Sequence, residues 1–302
     1  MVVQKNIPKF VPQMRYKDTF LVSFLHMKHK VITDKAAQLL KHLYEEGKVF
    51  FMVKDVQEFL SDTSKSYAKK MLRELTEREV IMRLKGGLYV LVPYDTPVSD
   101  FFPNWGLVGA NLVGNASYYI GYYSALKMHG FTTQPSMQEQ VVTDKRMKPT
   151  IQKICNVKFQ FIYHTEKHFF GTKKIWTEAL NRSFPVLYSD LEKTIVDCLY
   201  KPDYAFGIVE VAKAIYLAKD KIKPDKLISY AKKLNSQAVL KRLGFILELY
   251  EIDFPFIEEL QQMKTISHVA LDPTHPKEGV ANRRWSIYIN VDLNTIKQAP
   301  FS

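Results

Sequence analysis

The feature that most constrains this chain is a change of hydrophobic period at Glu79. Before it, Ala68, Leu72 and Leu75 recur at spacings of three and four, which predicts a buried helical stripe. Ser64 precedes that helix and is a residue type that caps helix N-termini well. After Glu79, Val80, Met82 and Leu84 alternate with Ile81, Arg83 and Lys85. Gly86-Gly87 follows, a dipeptide suited to the positive φ angles of a tight hairpin turn. Leu88 to Val92 returns as a second strand, and Pro93 stops it. Upstream, Ala36, Leu39, Leu40, Leu43 and Tyr44 mark a helix from Asp34 that ends near Gly47. A short apolar patch spans Val49 to Val53. Val56, Phe59 and Leu60 predict a second, short helix, and Ser61-Asp62-Thr63 is a polar break.

Helix, short strand, helix, helix and hairpin is the order of a winged helix-turn-helix. We place it at residues 31–94, behind a basic N-terminal extension at 1–30. Its third helix divides into two faces. Lys65, Lys69 and Arg73 stand at i, i+4 and i+8, with Ser66, Tyr67 and Lys70 beside them. A helix that enters a major groove needs an apolar back and hydrogen-bond donors in front. Ser64 and Ser66 at its start can donate to a phosphate, helped by free amides and the positive dipole end. Arg83, Lys85, Gly86 and Gly87 form the expected wing tip. The expected DNA-binding set is therefore Ser64, Lys65, Ser66, Tyr67, Lys69, Lys70, Arg73, Arg83, Lys85, Gly86 and Gly87. An ordinary solvated cationic face is the alternative for such a helix; the hairpin that follows immediately favours DNA.

Charge agrees with that placement. The chain carries 43 Lys and Arg against 31 Asp and Glu, a formal charge of +12. Residues 1–94 hold 17 against 10 of these, so the excess is denser at the N-terminal end.

Residues 95–116 contain Pro97, Pro103, Gly106, Gly109 and Gly114 and predict a linker or a partly docked segment. A second domain is expected over 117–302, mixed but mainly helical, with a small sheet. The whole chain is thus read as α+β. The first helix of this domain is expected to hold Tyr118, Tyr119, Tyr122, Tyr123, Leu126 and Met128, ended by Gly130. Short strands are expected at Glu139–Thr143, Val157–His164 and Phe184–Tyr188. Ser189-Asp190-Leu191-Glu192 fits a capping box, with Ser189 as the cap and Glu192 reaching back. Further helices are expected near 206–219, 224–235 and 236–250, and a late strand within 284–291.

Signatures of catalysis are scarce. The sequence has no Gly-x-x-x-x-Gly-Lys, no Gly-x-Gly-x-x-Gly and no Gly-x-Ser-x-Gly. It also lacks the Gly-Ser pair of nucleotidyltransferases. A metal-dependent nuclease wants an acidic residue two before a Lys. Glu46-Gly47-Lys48 alone has that spacing, and a helix end explains it. Asp190, Glu192 and Asp197 form a carboxylate group that capping and a solvated face account for. His26 and His29, and His164 and His168, are closely spaced, but no Cys-x-x-Cys or His-Glu-x-x-His accompanies them. The tyrosine run from Tyr118 to Tyr123 could stack bases, although helical spacing favours core packing. No catalytic residue, metal or cofactor is expected. Two cysteines, Cys155 and Cys198, make no disulfide scaffold, and the early apolar stretch 20–25 is too short to span a bilayer. A cytoplasmic protein without a membrane partner is expected.

Three longer segments resemble the AbiEi-type antitoxins. The first is Tyr118-Tyr119-Ile120-Gly121-Tyr122-Tyr123-Ser124-Ala125-Leu126-Lys127-Met128-His129-Gly130. The second is Ser189-Asp190-Leu191-Glu192-Lys193-Thr194-Ile195-Val196-Asp197-Cys198-Leu199, with the turn Lys201-Pro202-Asp203-Tyr204. The third is Leu271-Asp272-Pro273 with Arg284-Trp285. The resemblance covers about residues 30–291, and its motifs are helix signatures rather than catalytic ones. It implies an antitoxin of a type IV toxin–antitoxin (abortive infection) system that represses its own operon by binding promoter repeats in double-stranded DNA. It implies a nucleotidyltransferase toxin as genetic partner, counteracted without a stable complex, and a second domain that contributes to antitoxicity and can assist DNA binding. By position, Lys65 to Arg73 would be the recognition helix and Arg83 to Gly87 the wing. A monomer or weak dimer is expected. Two other readings compete: a nuclease or nucleotide-processing enzyme guided by the winged helix, and a second domain that binds the toxin or a twin subunit.

Overall fold

The computed structural model describes residues 30–61, 63–132 and 136–301. The basic extension, His26 and His29 included, lies outside the described residues apart from Lys30. The fold is mixed α+β, and the chain divides into one compact unit through Phe102 and a second from Pro103.

In the first unit, helix α1 (Asp34–Glu45) is capped by Thr33, whose side chain accepts from the Ala36 amide. Strand β1 (Phe50–Met52) and helix α2 (Val53–Phe59) follow. Helix α3 (Lys65–Glu77) opens at Ser64, whose hydroxyl accepts from the Tyr67 amide as the sequence predicts. It buries Ala68, Met71, Leu72 and Leu75. Strands β2 (Ile81–Lys85) and β3 (Leu88–Leu91) form the hairpin, and β1 joins the far side of β3 to give the order β1-β3-β2. The core of this unit centres on Leu39, Leu43, Val56, Leu72 and Ile81, none with exposed surface. Burying such side chains against one another is what fixes short elements that could not persist alone.

The hairpin tip separates its two glycines. Gly87 has φ +87°, and its carbonyl accepts from the Val53 amide at 3.1 Å, tying the tip to the start of α2. Gly86 has open space where a Cβ would stand. Gly87→Ala should therefore cost about 1–2 kcal/mol through backbone strain, whereas Gly86→Ala should be close to neutral. Urea midpoints of the two variants check this; equal losses would refute the assignment of the strained position.

The second unit is built on a six-stranded sheet, larger than the small sheet expected. Its strands are β4 (Tyr118–Ile120), β5 (Gln138–Thr143), β6 (Ile151–Ile154), β7 (Val157–Tyr163), β8 (Thr172–Ala179) and β9 (Arg182–Ser189), in the order β6-β7-β5-β4-β9-β8. The pairs β5–β7 and β4–β9 are parallel and the others antiparallel. Helix α4 (Trp105–Leu112) lies within the segment expected as a linker. It is capped by Asn104 and buries Leu107, Val108 and Leu112. Gly109 permits its close approach: a Cβ there would meet Val141 at 3.1 Å and Ile120 at 3.4 Å.

Two local expectations need correction. Tyr118 and Tyr119 are not helical; they pair with Thr143 and Val142 in β4. Helix α5 (Tyr122–His129) starts only after Gly121, where a Cβ would stand 2.9 Å from the Tyr119 ring. Ladder pairing and that crowded turn override the helical spacing of the aromatics. Likewise, the cap of helix α6 (Leu191–Tyr200) is Asp190, not Ser189. The Asp190 carboxylate accepts from the Lys193 amide at 3.0 Å, while Ser189 Oγ bonds Thr194 Oγ1 at 2.7 Å. Glu192 accepts from the Lys223 amide and pairs with Lys226 instead of reaching back.

Helices α7 (Ile208–Ala218), α8 (Pro224–Leu234) and α9 (Gln237–Leu249) surround α6 in one apolar core that includes Ile195, Leu199, Ile215, Leu227 and Leu243. Helix α10 (Ile257–Met263), strands β10 (Val269–Ala270), β11 (Val280–Asn282) and β12 (Ile287–Ile289), and helix α11 (Leu293–Gln298) complete the unit. Trp285 closes the core against α9, where Gly244 leaves the room: a Cβ there would lie 2.1 Å from the indole ring. Among the described residues, no helix is long and apolar enough to cross a membrane.

Candidate functional site

In the first unit, α3 and the hairpin tip border one groove of about 730 Å³. Lys65, Lys69 and Arg73 line it from the helix, and Arg83, Gly86 and Gly87 from the hairpin. The helical repeat explains the first set: residues four apart stack on one face while the apolar stripe is buried behind them. The hairpin register explains the second. Arg83 pairs with Tyr89, Lys85 with Leu88, and the ladder is irregular between Arg83 and Lys85.

Electrostatics favour an anion in this groove. Among the described residues, Lys65, Lys69 and Arg83 form no ion pair. Arg73 lies 3.7 Å from Glu77, an exposed contact of the kind worth little in water. Lys65, Lys69, Arg73 and Arg83 are all exposed, so their donors face solvent.

The other expected residues lie elsewhere. Ser64 Oγ serves the helix cap and sits 2.8 Å from Ser66 Oγ. Tyr67 and Lys70 turn to the opposite flank of α3, where they line a smaller pocket of about 210 Å³ with Thr33, Glu74 and Arg78. Lys35 stands over the Tyr67 ring, and Lys70 is 3.9 Å from Glu74. Lys85 is half-buried, and burial lowers its pKa. Conversely, Gln57, Thr76 and Tyr89 line the groove without having been anticipated. Each belongs to a different element, so no local spacing joins them.

The chemical groups of the second unit are engaged in packing. Tyr119, Tyr122 and Tyr123 are buried. Asp197 accepts from Tyr119 Oη at 2.9 Å and pairs with Lys193, both charged side chains lacking any exposed surface. Burial pushes the Asp197 carboxyl up. Asp190 and Glu192 share Lys226 at 3.0 and 3.1 Å. All three carboxylates are buried, so the solvated face expected for them is not found: Asp190 caps α6 and shares Lys226 with Glu192, and Asp197 sits in a core ion pair. His164 Nε2 lies 2.6 Å from Tyr122 Oη, and its ring stacks on His168 at 4.7 Å. Among the described residues, no group of three or more His, Cys, Asp or Glu could hold a metal ion. Cys155 is exposed and Cys198 buried, and neither is in a disulfide.

The stacked histidines set a pH dependence. Burial, followed by the charges of His168, Lys193 and Lys201, depresses His164 to about 3. In the unfolded chain it titrates near its ordinary value of about 6.5. Between those values the unfolded state binds the extra proton, so stability is full above about pH 6.5 and falls as pH drops toward 3. Urea midpoints at pH 7.5 and 5 should show this loss, and His164→Gln should reduce it. An unchanged pH dependence in the variant would remove His164 as the cause.

Comparison with family models and with curated protein sequences gives no match. Among solved structures, the fold is similar to the crystal structure of the RV2827C protein from Mycobacterium tuberculosis. The TM-score is 0.61 at 13% identity, covering 91% of this chain and 97% of that one. At that identity the likeness concerns the fold alone.

Proposed function

We propose that the N-terminal unit is a winged helix-turn-helix and that the chain is a sequence-specific repressor acting on duplex DNA. Helix α3 is the recognition helix, and the β2–β3 hairpin is the wing. The shared groove carries this reading: Lys65, Lys69, Arg73 and Arg83 gather there from two elements, three of them without a carboxylate partner among the described residues. Guanidinium and ammonium donors on a helix face are the groups that reach phosphates and guanine edges. Gly86 and Gly87 let the wing backbone come close to a strand without side-chain obstruction.

The biological role in this proposal rests on the resemblance to AbiEi-type antitoxins. The chain binds repeats in its own promoter, represses its operon and counteracts a nucleotidyltransferase toxin without a stable complex. It works in the cytoplasm as a monomer or weak dimer and has no catalytic activity of its own. A gel-shift assay with the full chain tests the DNA reading. A duplex carrying the repeats upstream of its own gene should be retarded at a concentration that leaves an unrelated duplex of equal length free. Binding should also fall steeply with salt, as counterion release requires. Equal retardation of both duplexes would sink the sequence-specific reading.

A further inference from the structure

A second cationic centre lies in the C-terminal unit, where α9, the loop after α10 and the β10–β12 sheet meet. Lys241 projects from α9 with no exposed surface. Its ammonium donates to Thr265 Oγ1 at 3.1 Å and to the Ser267 carbonyl. The loop that covers it is itself exposed: Thr265 and Ser267 are open to solvent, and Ile266 is 90% exposed. The Thr265 and Ser267 hydroxyls stand 3.0 Å apart. Lys264 Nζ reaches Ser286 Oγ at 3.4 Å. Lys277 Nζ lies 5.4 Å from the Tyr288 ring, and the His268 ring packs on the same tyrosine at 5.0 Å.

Two observations set this cluster apart from an ordinary solvated surface. First, among the described residues none of Lys241, Lys264 and Lys277 forms an ion pair with a carboxylate. Burial lowers the Lys241 pKa, and the charges of Lys264 and Lys277 lower it further, with no acidic group acting the other way. Like charges collected around a covered ammonium are unfavourable unless a countercharge joins them. Second, the buried Nε2 of His268 has no hydrogen-bond partner among the described residues, whereas buried polar atoms are as a rule satisfied.

We propose that Lys241, Lys264 and Lys277, with the hydroxyls of Thr265 and Ser267, form a binding site for a small phosphate-type oxyanion. Three ammoniums and two hydroxyls supply charge and donors for a dianion with several acceptor oxygens. A metal cation is the wrong sign for this set. Lys241 adds its charge from beneath the loop through the Thr265 hydroxyl, so the positive charge is gathered at one compact spot and not along a track, which favours a small ion over a polymer.

Calorimetric titration of the full chain with inorganic phosphate, against chloride at matched ionic strength, tests the site. Saturable one-to-one binding is expected. Lys264→Ala with Lys277→Ala should weaken it by roughly tenfold or more, the loss that two charged donors predict. Neither side chain is buried, so the variant keeps its fold, which circular dichroism verifies. Absent saturation, or equal affinity in the variant, means an adventitious ion only and overturns the proposal. Displacement of phosphate by a nucleoside monophosphate would support a small phosphomonoester as the natural occupant. Displacement solely by a duplex lacking terminal phosphates would assign the donors to a nucleic-acid backbone and overturn the small-ion reading.

Discussion

Replacing Lys69 and Arg73 together by Ala should weaken operator binding by roughly tenfold or more at fixed salt. Both side chains line the groove from α3, and neither contributes to the buried stripe of that helix. The loss should therefore appear in affinity, with little change in unfolding. It should also flatten the salt dependence, by roughly one unit of log–log slope for each phosphate contact removed. Arg73 gives up an exposed contact to Glu77 in the process, a small term beside loss of a phosphate or base partner. Lys70→Ala is the informative control. It removes the same charge from the same helix, but Lys70 faces the opposite pocket beside Glu74. If Lys70→Ala costs as much as Lys69→Ala, binding depends on net charge, and the groove is not the interface.

The second large effect concerns stability. Lys193→Ala leaves the Asp197 carboxylate without its cation in a place with no exposed surface. Breaking a buried pair on one side costs about 3–5 kcal/mol, a large share of the roughly 5–15 kcal/mol that holds a typical protein together. The ammonium also lies over the rings of Phe170, at 4.6 Å, and Tyr119, at 5.3 Å. The double variant Lys193→Met with Asp197→Asn should recover at least half of the loss. It removes both charges, keeps apolar bulk against the rings and leaves an acceptor for Tyr119 Oη. Urea unfolding of the single and double variants decides the matter; a double variant no better than Lys193→Ala would show that the pair itself holds the core. The sign with pH follows from the carboxyl. Burial already raises its pKa, and loss of Lys193 raises it further. A raised carboxyl is most favourable when protonated, so the deficit of Lys193→Ala relative to the parent should shrink at pH 5 and grow as pH rises.

What was legible in the sequence follows from how each element is held. Helices α7, α8 and α9 bury a continuous stripe, so their period survives in the sequence and their bounds lie within two residues of expectation. Strands β6 and β8 form the two edges of the large sheet and are largely exposed. Their residues need not alternate in polarity, so no period marked them. Tyr118 and Tyr119 illustrate the opposite failure, because their spacing suited a helix while their backbone was committed to β5. At the groove, positions on α3 were readable because one helix face carries them. Gln57 and Tyr89 were not, since they come to line the same groove as Lys69 only once three elements have packed. Lys70 follows Lys69 directly and Tyr67 lies two residues before it, yet at about 100° per residue these steps carry them about 100° and 160° around the helix axis from Lys69.

The placement of Trp285 has a consequence for the order of events during synthesis. The indole fills the space above Gly244, so the helical core of the second unit stays open on that side until the ribosome has passed residue 285. The first unit ends near residue 102, and its described core comes from α1, β1, α2, α3 and the hairpin. Domains emerge and fold from the N-terminus. The cationic groove is therefore free to assemble before the second unit is complete, and the apolar faces of α6 to α9 wait longest for their last partner.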